Sequence, residues 1–245
     1  MESCGKIVFL FDIDGTLLLA GALAEESYRD AFAAVTGKPY SIRTVDCSGR
    51  TDPWIVREVL LNNGHGAQAH DPVVHEQVFT RFLVGMRSRL ERGFRASVLD
   101  GVTDSLAWLE QQPGVVLGLL TGNLEAGARI KLEAASITTR FSAGAYGSDH
   151  HDRNQLGPIA KKRLEESLGQ KIDPDRVWIV GDSVHDIACA RAAGFRVMAV
   201  ASGSTPAERL ASANPDCLVE TLSVSSFQAL LGGLSRPDGP AGGLG

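Results

Sequence analysis

The fold is decided by the stretch KIVFLFDIDGTLLLAG, residues 6–21. An apolar run there ends in two aspartates, Asp12 and Asp14, which are followed by Gly-Thr. A short, continuously apolar run is typical of a strand that is buried on both faces of a parallel sheet. Because residues i and i+2 of a strand point to the same side, the spacing predicts two carboxylates about 6–7 Å apart. Such anions repel each other unless a cation binds between them; a helix N-cap or an Asx turn is the alternative interpretation.

Apolar runs of the same kind recur along the chain, with segments of helical spacing between them. Further strands are predicted at residues 115–121, 176–181, 196–201 and 217–220, and helices at residues 101–112, 157–169 and 186–194. This alternation predicts an α/β fold in which a parallel sheet is flanked by helices. In such open sheets, ligands bind at the carboxyl ends of the strands, where Asp12 and Asp14 stand.

One interval, residues 18–114, lacks a comparable strand and reads instead as helices at residues 22–37, 52–64 and 71–93. A βα unit does not need that much chain, so we expect a separate helical domain at residues 20–95. The α/β core domain then comprises residues 1–19 and 96–234. The Gly- and Pro-rich end, residues 235–245, is predicted to be disordered.

Composition excludes several classes of function. The 245 residues carry a net charge of −5 without basic runs, which argues against a partner that is nucleic acid or an anionic membrane. No apolar run is long enough to cross a membrane, and acidic residues interrupt the first strand too early for a signal peptide. We therefore expect a cytoplasmic protein, a monomer or a weak homodimer. The cysteines are scattered and are expected to be reduced thiols: Cys4, Cys47, Cys189 and Cys217.

A second acidic pair, Asp182 and Asp186, follows another predicted strand in the sequence VWIVGDSVHD. Gly181 is expected to let the backbone turn tightly there, and a helix beginning near Ser183 would align both carboxylates. An N-cap followed by a first-turn aspartate explains this pair equally well. Acidic groups at two strand ends of one sheet would crowd one edge. Mg²⁺ would relieve this crowding, because it prefers oxygen ligands and accepts a substrate phosphate.

A third strand end, in the sequence LLTGN, offers the hydroxyl of Thr121 and the backbone N–H groups of Gly122 and Asn123. Such groups at a helix start can bind a phosphate oxygen, although Asn123 as a plain N-cap is the alternative. A cation should balance the anions of the site. Arg153 in a loop is the first candidate, and the others lie on the next predicted helix, where basic runs usually form a solvated face: Lys161, Lys162 and Arg163.

The motifs DIDGT, LLTGN, a basic residue and GDSVHD, in that order, resemble the four motifs of the haloacid dehalogenase superfamily. The helical insertion resembles the α-helical cap domain of that superfamily, as in phosphoglycolate phosphatases and beta-phosphoglucomutases. The resemblance covers roughly residues 6–220 and implies a Rossmann-like core. The chain has Asp152-Arg153-Asn154 where the family often has Lys-Pro.

The resemblance also implies roles for individual residues. Asp12 would be a covalent nucleophile and Asp14 a general acid and base. The magnesium cofactor would be held by Asp12, the backbone carbonyl of Asp14 and Asp182, with support from Asp186. The phosphoryl group would be bound by Thr121, Gly122, Asn123 and a cation, either Arg153 or Lys161 and Lys162.

These roles imply a magnesium-dependent phosphatase that acts on a small phosphorylated metabolite through an aspartyl-phosphate. A phosphomutase of the beta-phosphoglucomutase type and a non-catalytic phosphate-binding protein are the alternatives. Family members that cleave carbon–halogen bonds or phosphonates lack the second aspartate of the first motif, so Asp14 argues against both reactions. Phosphonate cleavage also uses a cap lysine, and the only lysine between residues 20 and 95 is Lys38.

Substrate choice is expected to depend on the loop CSGRTDPW, residues 47–54, which resembles the specificity loop of helical caps. Arg50 is the candidate for binding a carboxylate or phosphate of the leaving group, because its guanidinium forms paired hydrogen bonds with such groups. Alternatively, this is a surface loop in which Thr51 or Asp52 caps the following helix, with Pro53 in the first turn.

Overall fold

The computed structural model describes residues 5–234; Cys4 and the predicted disordered end, residues 235–245, lie outside the described residues. The strands are β1 (Ile7–Phe11), β2 (Leu18–Leu19), β3 (Ser97–Val98), β4 (Val115–Thr121), β5 (Gly144–Tyr146), β6 (Val177–Gly181), β7 (Arg196–Val200) and β8 (Cys217–Val219). The helices are α1 (Ala22–Thr36), α2 (Asp52–Asn62), α3 (Pro72–Glu91), α4 (Val102–Glu110), α5 (Glu125–Ala134), α6 (Leu156–Leu168), α7 (Val184–Ala193), α8 (Ala207–Ser212) and α9 (Val224–Leu234).

Six of these strands form one parallel sheet in the order β5-β4-β1-β6-β7-β8. The α/β fold is therefore confirmed, and the strands predicted from apolar runs are confirmed at β1, β4, β6, β7 and β8. Strand β5 was not predicted, because its three residues are too few for a hydrophobic pattern. Its glycine and alanine also lack the β-branched or large side chains that indicate a strand.

The central strand β1 is buried on both faces of the sheet, which explains its continuous apolarity. Phe9 and Phe11 pack in one cluster with Phe227 of α9 and with residues of α4. Val8 and Leu10 point to the opposite face, where they join a cluster with α6 and α7. The two helical layers therefore hold β1, and with it Asp12 at its end, in the middle of the sheet.

Helices α1, α2 and α3 lie in the predicted insertion and share a third hydrophobic cluster. Tyr28 of α1 stacks on Phe82 of α3 with their ring centroids 3.8 Å apart. Leu124 and Ile130, next to and within α5, belong to the same cluster. The short antiparallel pair β2 and β3 lies close to the two ends of this helical segment. The limits of the helical domain at residues 20 and 95 stay a prediction.

Among the helices that the structure describes, none combines the length and the apolar character that crossing a membrane requires.

Candidate active site

Three buried aspartates meet at the carboxyl edge of the sheet. Asp12 follows β1, Asp182 follows β6, and Asp186 lies in the first turn of α7. One carboxylate oxygen from each lies within 4.8 Å of the others. Such a set of hard oxygen donors in a small volume fits a divalent cation such as Mg²⁺.

The prediction that Asp12 and Asp14 are strand residues whose side chains point to the same side is wrong. Strand β1 ends at Phe11, so both aspartates lie in the turn that follows it. Asp12 is buried and joins the acidic cluster. The side chain of Asp14 is 43% exposed and pairs with Lys131 of α5. Both aspartates still line the same cavity, because the turn folds over the edge of the sheet.

Arg153 is the cation that the structure brings to the acidic cluster. Its Nη2 atom lies 3.2 Å from Asp12 Oδ2 and 2.5 Å from Asp186 Oδ1, and its side chain is buried. The two carboxylates raise the pKa of Arg153, despite its burial, so the guanidinium is charged at any working pH.

Lys161 and Lys162 do not reach this site, which corrects the expectation that they bind substrate. Both point along α6, where Lys161 pairs with Glu165 and Lys162 Nζ lies 4.0 Å from Glu166. Arg163 pairs with Asp149 at 2.6 Å. A lysine or arginine on an exposed helix face finds partners at i+4 or in a neighbouring loop, as these do.

Burial and the charges of neighbouring carboxylates raise the pKa values of Asp12 and Asp182. Burial is the largest cause that raises the pKa of Asp182, to about 8, and the neighbouring charges of Asp186 and Asp12 raise it further. Burial also raises the pKa of Asp12, and the Arg153 guanidinium opposes this shift. One guanidinium therefore does not compensate three carboxylates, and a further cation would stabilise their ionised forms.

Asp186 combines a structural and an electrostatic role. Its Oδ2 atom accepts hydrogen bonds from the backbone N–H of Ser183 at 3.0 Å and from its hydroxyl at 2.6 Å, which forms a capping box at the start of α7. The capping interpretation is thus confirmed for Asp186 as a first-turn aspartate and wrong for Asp182, because Ser183 is the N-cap of α7. Asp186 Oδ1 meanwhile holds Arg153. Gly181 is required for space rather than for a turn, because a Cβ atom there would overlap the Asp186 carboxyl group.

The segment from Thr121 to Asn123 joins β4 to α5 at the same edge. The Asn123 side-chain amide donates hydrogen bonds to Thr121 Oγ1 at 2.7 Å and to Asp14 Oδ2 at 2.8 Å. Interpreting Asn123 as an N-cap was therefore wrong, because Leu124 precedes α5 and the Asn123 side chain points into the site. Gly122 allows the backbone of Arg50 to approach it closely, since a Cβ atom at this position would overlap the backbone oxygen of Arg50.

Lys131 of α5 is a site residue that sequence reasoning missed. It is 5% exposed, and its Nζ atom lies 2.5 Å from both Asp14 Oδ2 and Asn123 Oδ1. One signal in the sequence was available. Lys131 stands at i+3 from Ala128 and four residues before Ala135, so it interrupts the apolar stripe of its helix.

The helical segment and the core together line a cavity of about 380 Å³ that contains these groups. On that side the cavity is lined mainly by apolar residues, among them Ala24, Ile42, Val45 and Ile55. Arg50 also lines it, with its guanidinium 4.2 Å from the centre of the Trp54 ring. Among the described residues, the buried Nε atom of Arg50 has no hydrogen-bond partner. An arginine that lines the cavity suits an anionic ligand.

The loop that carries Arg50 is hydrogen-bonded to the core. The backbone N–H of Asp52 donates to Gly122 O at 2.7 Å, and Asp52 Oδ2 accepts from the N–H of Leu124 at 2.7 Å. The Thr51 hydroxyl donates to His151 O at 2.6 Å and accepts from the N–H of Trp54 as the N-cap of α2. The capping alternative is therefore confirmed for Thr51, yet Arg50 beside it still faces the cavity.

Comparison with known proteins agrees with this geometry. A family model described as a haloacid dehalogenase-like hydrolase matches residues 8–194, which is more than half of the chain. Phosphoglycolate phosphatase 1 of Pseudomonas aeruginosa is 26% identical over 214 residues, which cover 87% of this chain and 76% of that protein. Phosphoglycolate phosphatase of Pseudomonas syringae pv. tomato is 29% identical over 229 residues, with 89% and 78% covered.

The fold has matches among solved structures. A predicted phosphoglycolate phosphatase from Haemophilus somnus 129PT superposes with a TM-score of 0.67 at 20% sequence identity, over 93% of this chain and 98% of that one. At this level of identity the likeness shows a shared fold.

Proposed function

The chain belongs to the haloacid dehalogenase-like hydrolase family and is a phosphatase, and we propose that it hydrolyses a small phosphorylated metabolite through an aspartyl-phosphate on Asp12. The observation that carries this proposal is the meeting of Asp12, Asp182 and Arg153 at the floor of one cavity. It supplies a nucleophile, a site for a divalent cation and a fixed positive charge in one place.

In the first step, a carboxylate oxygen of Asp12 forms a bond to phosphorus while the bond from phosphorus to the leaving oxygen breaks. Asp14, on the cavity wall, gives its proton to that leaving oxygen. Arg153, which already lies 3.2 Å from Asp12, stabilises the charge that develops on the phosphoryl oxygens.

In the second step, the carboxylate of Asp14 takes a proton from a water molecule as the water oxygen attacks phosphorus. The bond between phosphorus and Asp12 then breaks, which releases inorganic phosphate and restores the Asp12 carboxylate. The Thr121 oxygen accepts hydrogen bonds from Asn123, so its own proton is left to donate to a phosphoryl oxygen.

The metal site would be formed by Asp12, Asp182 and the backbone carbonyl of Asp14. Magnesium, when bound there, supplies positive charge that lets an anionic carboxylate approach an anionic phosphate ester. Asp186 would act behind this site, because its oxygens already accept hydrogen bonds from Ser183 and Arg153.

Magnesium binding should stabilise the protein more at pH 8 than at pH 5.5. In the metal-free fold the pKa of Asp182 is raised to about 8, so the folded chain holds a proton that the unfolded chain has lost. Stability without metal therefore falls as the pH rises from about 4 towards 8. Magnesium, by stabilising the ionised carboxylates, removes this loss of stability. It should raise the unfolding temperature by about 5–10 °C at saturating concentration.

The measurement is thermal unfolding at both pH values, with and without magnesium, and Asp182→Asn is the control that should abolish the difference. An equal shift at both pH values, or a shift that persists in the variant, would contradict the assignment of the metal site.

For the substrate, we propose a phosphorylated small hydroxy acid such as 2-phosphoglycolate. Two relatives carry the name phosphoglycolate phosphatase, and the cavity of about 380 Å³ suits a small molecule. Arg50 would bind the carboxylate of the leaving group, since it lines the cavity and its guanidinium is a donor suited to a carboxylate.

Arg50→Ala should lower kcat/KM for 2-phosphoglycolate by roughly 10–100-fold, the effect of one lost charge-assisted hydrogen bond. The same variant should lower kcat/KM for p-nitrophenyl phosphate by less than about threefold, because that leaving group offers no carboxylate. Arg57→Ala is the matched control, since Arg57 pairs with Glu58 at 2.8 Å and lies outside the cavity. Equal losses on both substrates would show that Arg50 does not select the leaving group.

The helices α1, α2 and α3, within residues 20–95, would act as a cap over the core. The hydrogen bonds of Asp52 to Gly122 and Leu124 join this cap to the segment that binds phosphate. Opening of the cap would admit the substrate, and closure would exclude bulk water from the aspartyl-phosphate.

Product analysis separates hydrolysis from the phosphomutase alternative. We would incubate the enzyme and magnesium with 2-phosphoglycolate or with β-glucose 1-phosphate and follow the products by ³¹P NMR. Hydrolysis predicts inorganic phosphate as the phosphorus-containing product. An isomerised sugar phosphate formed without free phosphate would contradict the proposal, as would the absence of any turnover.

A further inference from the structure

We propose that Lys131 is a positioning residue that fixes the general acid and base Asp14, both directly and through Asn123. This inference rests on the proposed function, in which Asp14 exchanges protons with the leaving group and with water. It concerns a lysine on α5, in a helix that carries none of the four motifs.

The burial of Lys131 is the first observation. Its side chain is 6% exposed, and the other buried residues of α5 are small or apolar, such as Ala128, Ile130 and Leu132. An ammonium group taken out of water is costly unless it is paired, and an apolar side chain in its place would often be at least as stable. Packing of the helix therefore does not explain why a lysine stands here.

The hydrogen-bond partners of Lys131 indicate the group on which it acts, which is Asp14. Its Nζ atom donates to Asp14 Oδ2 at 2.5 Å, and Asn123 Nδ2 donates to the same oxygen at 2.8 Å. Among the described residues, both side-chain hydrogen bonds to this carboxylate thus go to Oδ2. Two donors on one oxygen fix the plane of the carboxyl group. Oδ1 is left to carry the proton that moves to the leaving oxygen.

Lys131 also decides which way the amide of Asn123 faces. An ammonium group has donors only, so the Asn123 atom beside it at 2.5 Å must be the oxygen. The amide nitrogen then faces Asp14 and Thr121, as the geometry requires. Without Lys131 the amide oxygen loses this donor, and only the acceptors Asp14 and Thr121 still favour the orientation. Lys131 therefore donates to Asp14 itself and helps to orient the other donor, Asn123.

This role predicts a specific kinetic signature for Lys131→Met. The chemical step with a poor leaving group needs the acid, so kcat for 2-phosphoglycolate should fall about 100-fold, within the usual range for general acid catalysis. With p-nitrophenyl phosphate, whose leaving group departs as a stable anion, the rate of the initial burst of p-nitrophenolate, which reports formation of the aspartyl-phosphate alone, should fall less than about fivefold. KM should change by less than about threefold for both, because Lys131 touches Asp14 and Asn123 rather than the phosphoryl group.

A double-mutant cycle tests whether Lys131 acts through Asp14. In an Asp14→Ala background, adding Lys131→Met should lower kcat for 2-phosphoglycolate by less than about threefold further, because the group that it positions is gone. Lys171→Met is the matched control, since Lys171 is 91% exposed and pairs with Glu165. If Lys131→Met fails to fold, Asn123→Ala removes the second donor and should show the same dependence on the leaving group.

The outcomes distinguish the two proposals. A wild-type enzyme that releases phosphate leaves the phosphatase function intact. Beside it, a Lys131→Met variant whose burst of p-nitrophenolate slows as much as kcat for 2-phosphoglycolate falls, or whose KM rises tenfold, overturns the positioning role. A full further loss in the Asp14→Ala background also overturns it. A wild-type protein without phosphate release from any substrate overturns the proposed function, and this inference with it.

Discussion

Asp12→Asn is expected to abolish phosphatase turnover while the fold persists. The amide that replaces the carboxylate is not a nucleophile, so kcat should fall by at least about 10⁴-fold, in line with the loss of other covalent nucleophiles. The side chain keeps its shape, and burial already raises the pKa of Asp12, so the neutral amide costs less desolvation than the charge did.

The measurement is kcat of both proteins with saturating magnesium, accompanied by thermal unfolding of each. Asp104→Asn is the matched control, because Asp104 is an exposed carboxylate in the first turn of α4. It should retain wild-type activity. Residual activity of Asp12→Asn above about one hundredth of wild type, in a preparation free of deamidation, would remove Asp12 as the nucleophile.

Arg153→Met is expected to damage both activity and stability. The variant leaves the carboxylates of Asp12 and Asp186 buried without their cation, which should lower the free energy of unfolding by about 3–5 kcal/mol in the metal-free protein. Loss of a fixed positive charge beside the phosphoryl group should lower kcat by about 10²–10³-fold. Arg153 also opposes the raised pKa of Asp12, so the acid limb of kcat/KM should move to higher pH.

Chemical denaturation and a pH–rate profile test these expectations. Lys161→Met and Lys162→Met are the informative controls, because sequence reasoning offered both lysines as the same cation and the structure pairs them with glutamates on α6. Both should behave as wild type within about threefold in kcat. A functional Arg153→Met enzyme beside an inactive Lys161→Met enzyme would reverse the assignment.

The elements that sequence reasoning found were those with strong local patterns. Apolar strands such as β1 and β6 and the acidic residues after them are adjacent in sequence, so their chemistry is visible there. The choice of Arg153 over Lys161 required the fold. Arg153 begins a short 3₁₀ helix 141 positions beyond Asp12 and reaches it only through the sheet topology. Local periodicity carries no information about such a contact.

Sequence reasoning missed the roles of residues that are buried although their type is usually exposed. A lysine on a helix is normally solvated, so Lys131 was passed over although it lies buried against Asp14. Asp52 was treated only as a possible helix cap, yet it also links the cap segment to Gly122 and Leu124. The contacts of Asp52 with Leu124 and of Lys131 with Asp14 join residues that lie about 70 or more positions apart in the chain, which no local pattern reveals.

The central claim is tested most directly by inorganic phosphate release from a panel of phosphorylated metabolites, including 2-phosphoglycolate, sugar phosphates and nucleotides. Each substrate would be offered to the wild-type enzyme with magnesium and, in parallel, with excess EDTA. The account predicts release that needs magnesium and is fastest with a small hydroxy-acid phosphate. Release that EDTA leaves untouched, or no release from any member of the panel by the folded protein, would contradict it.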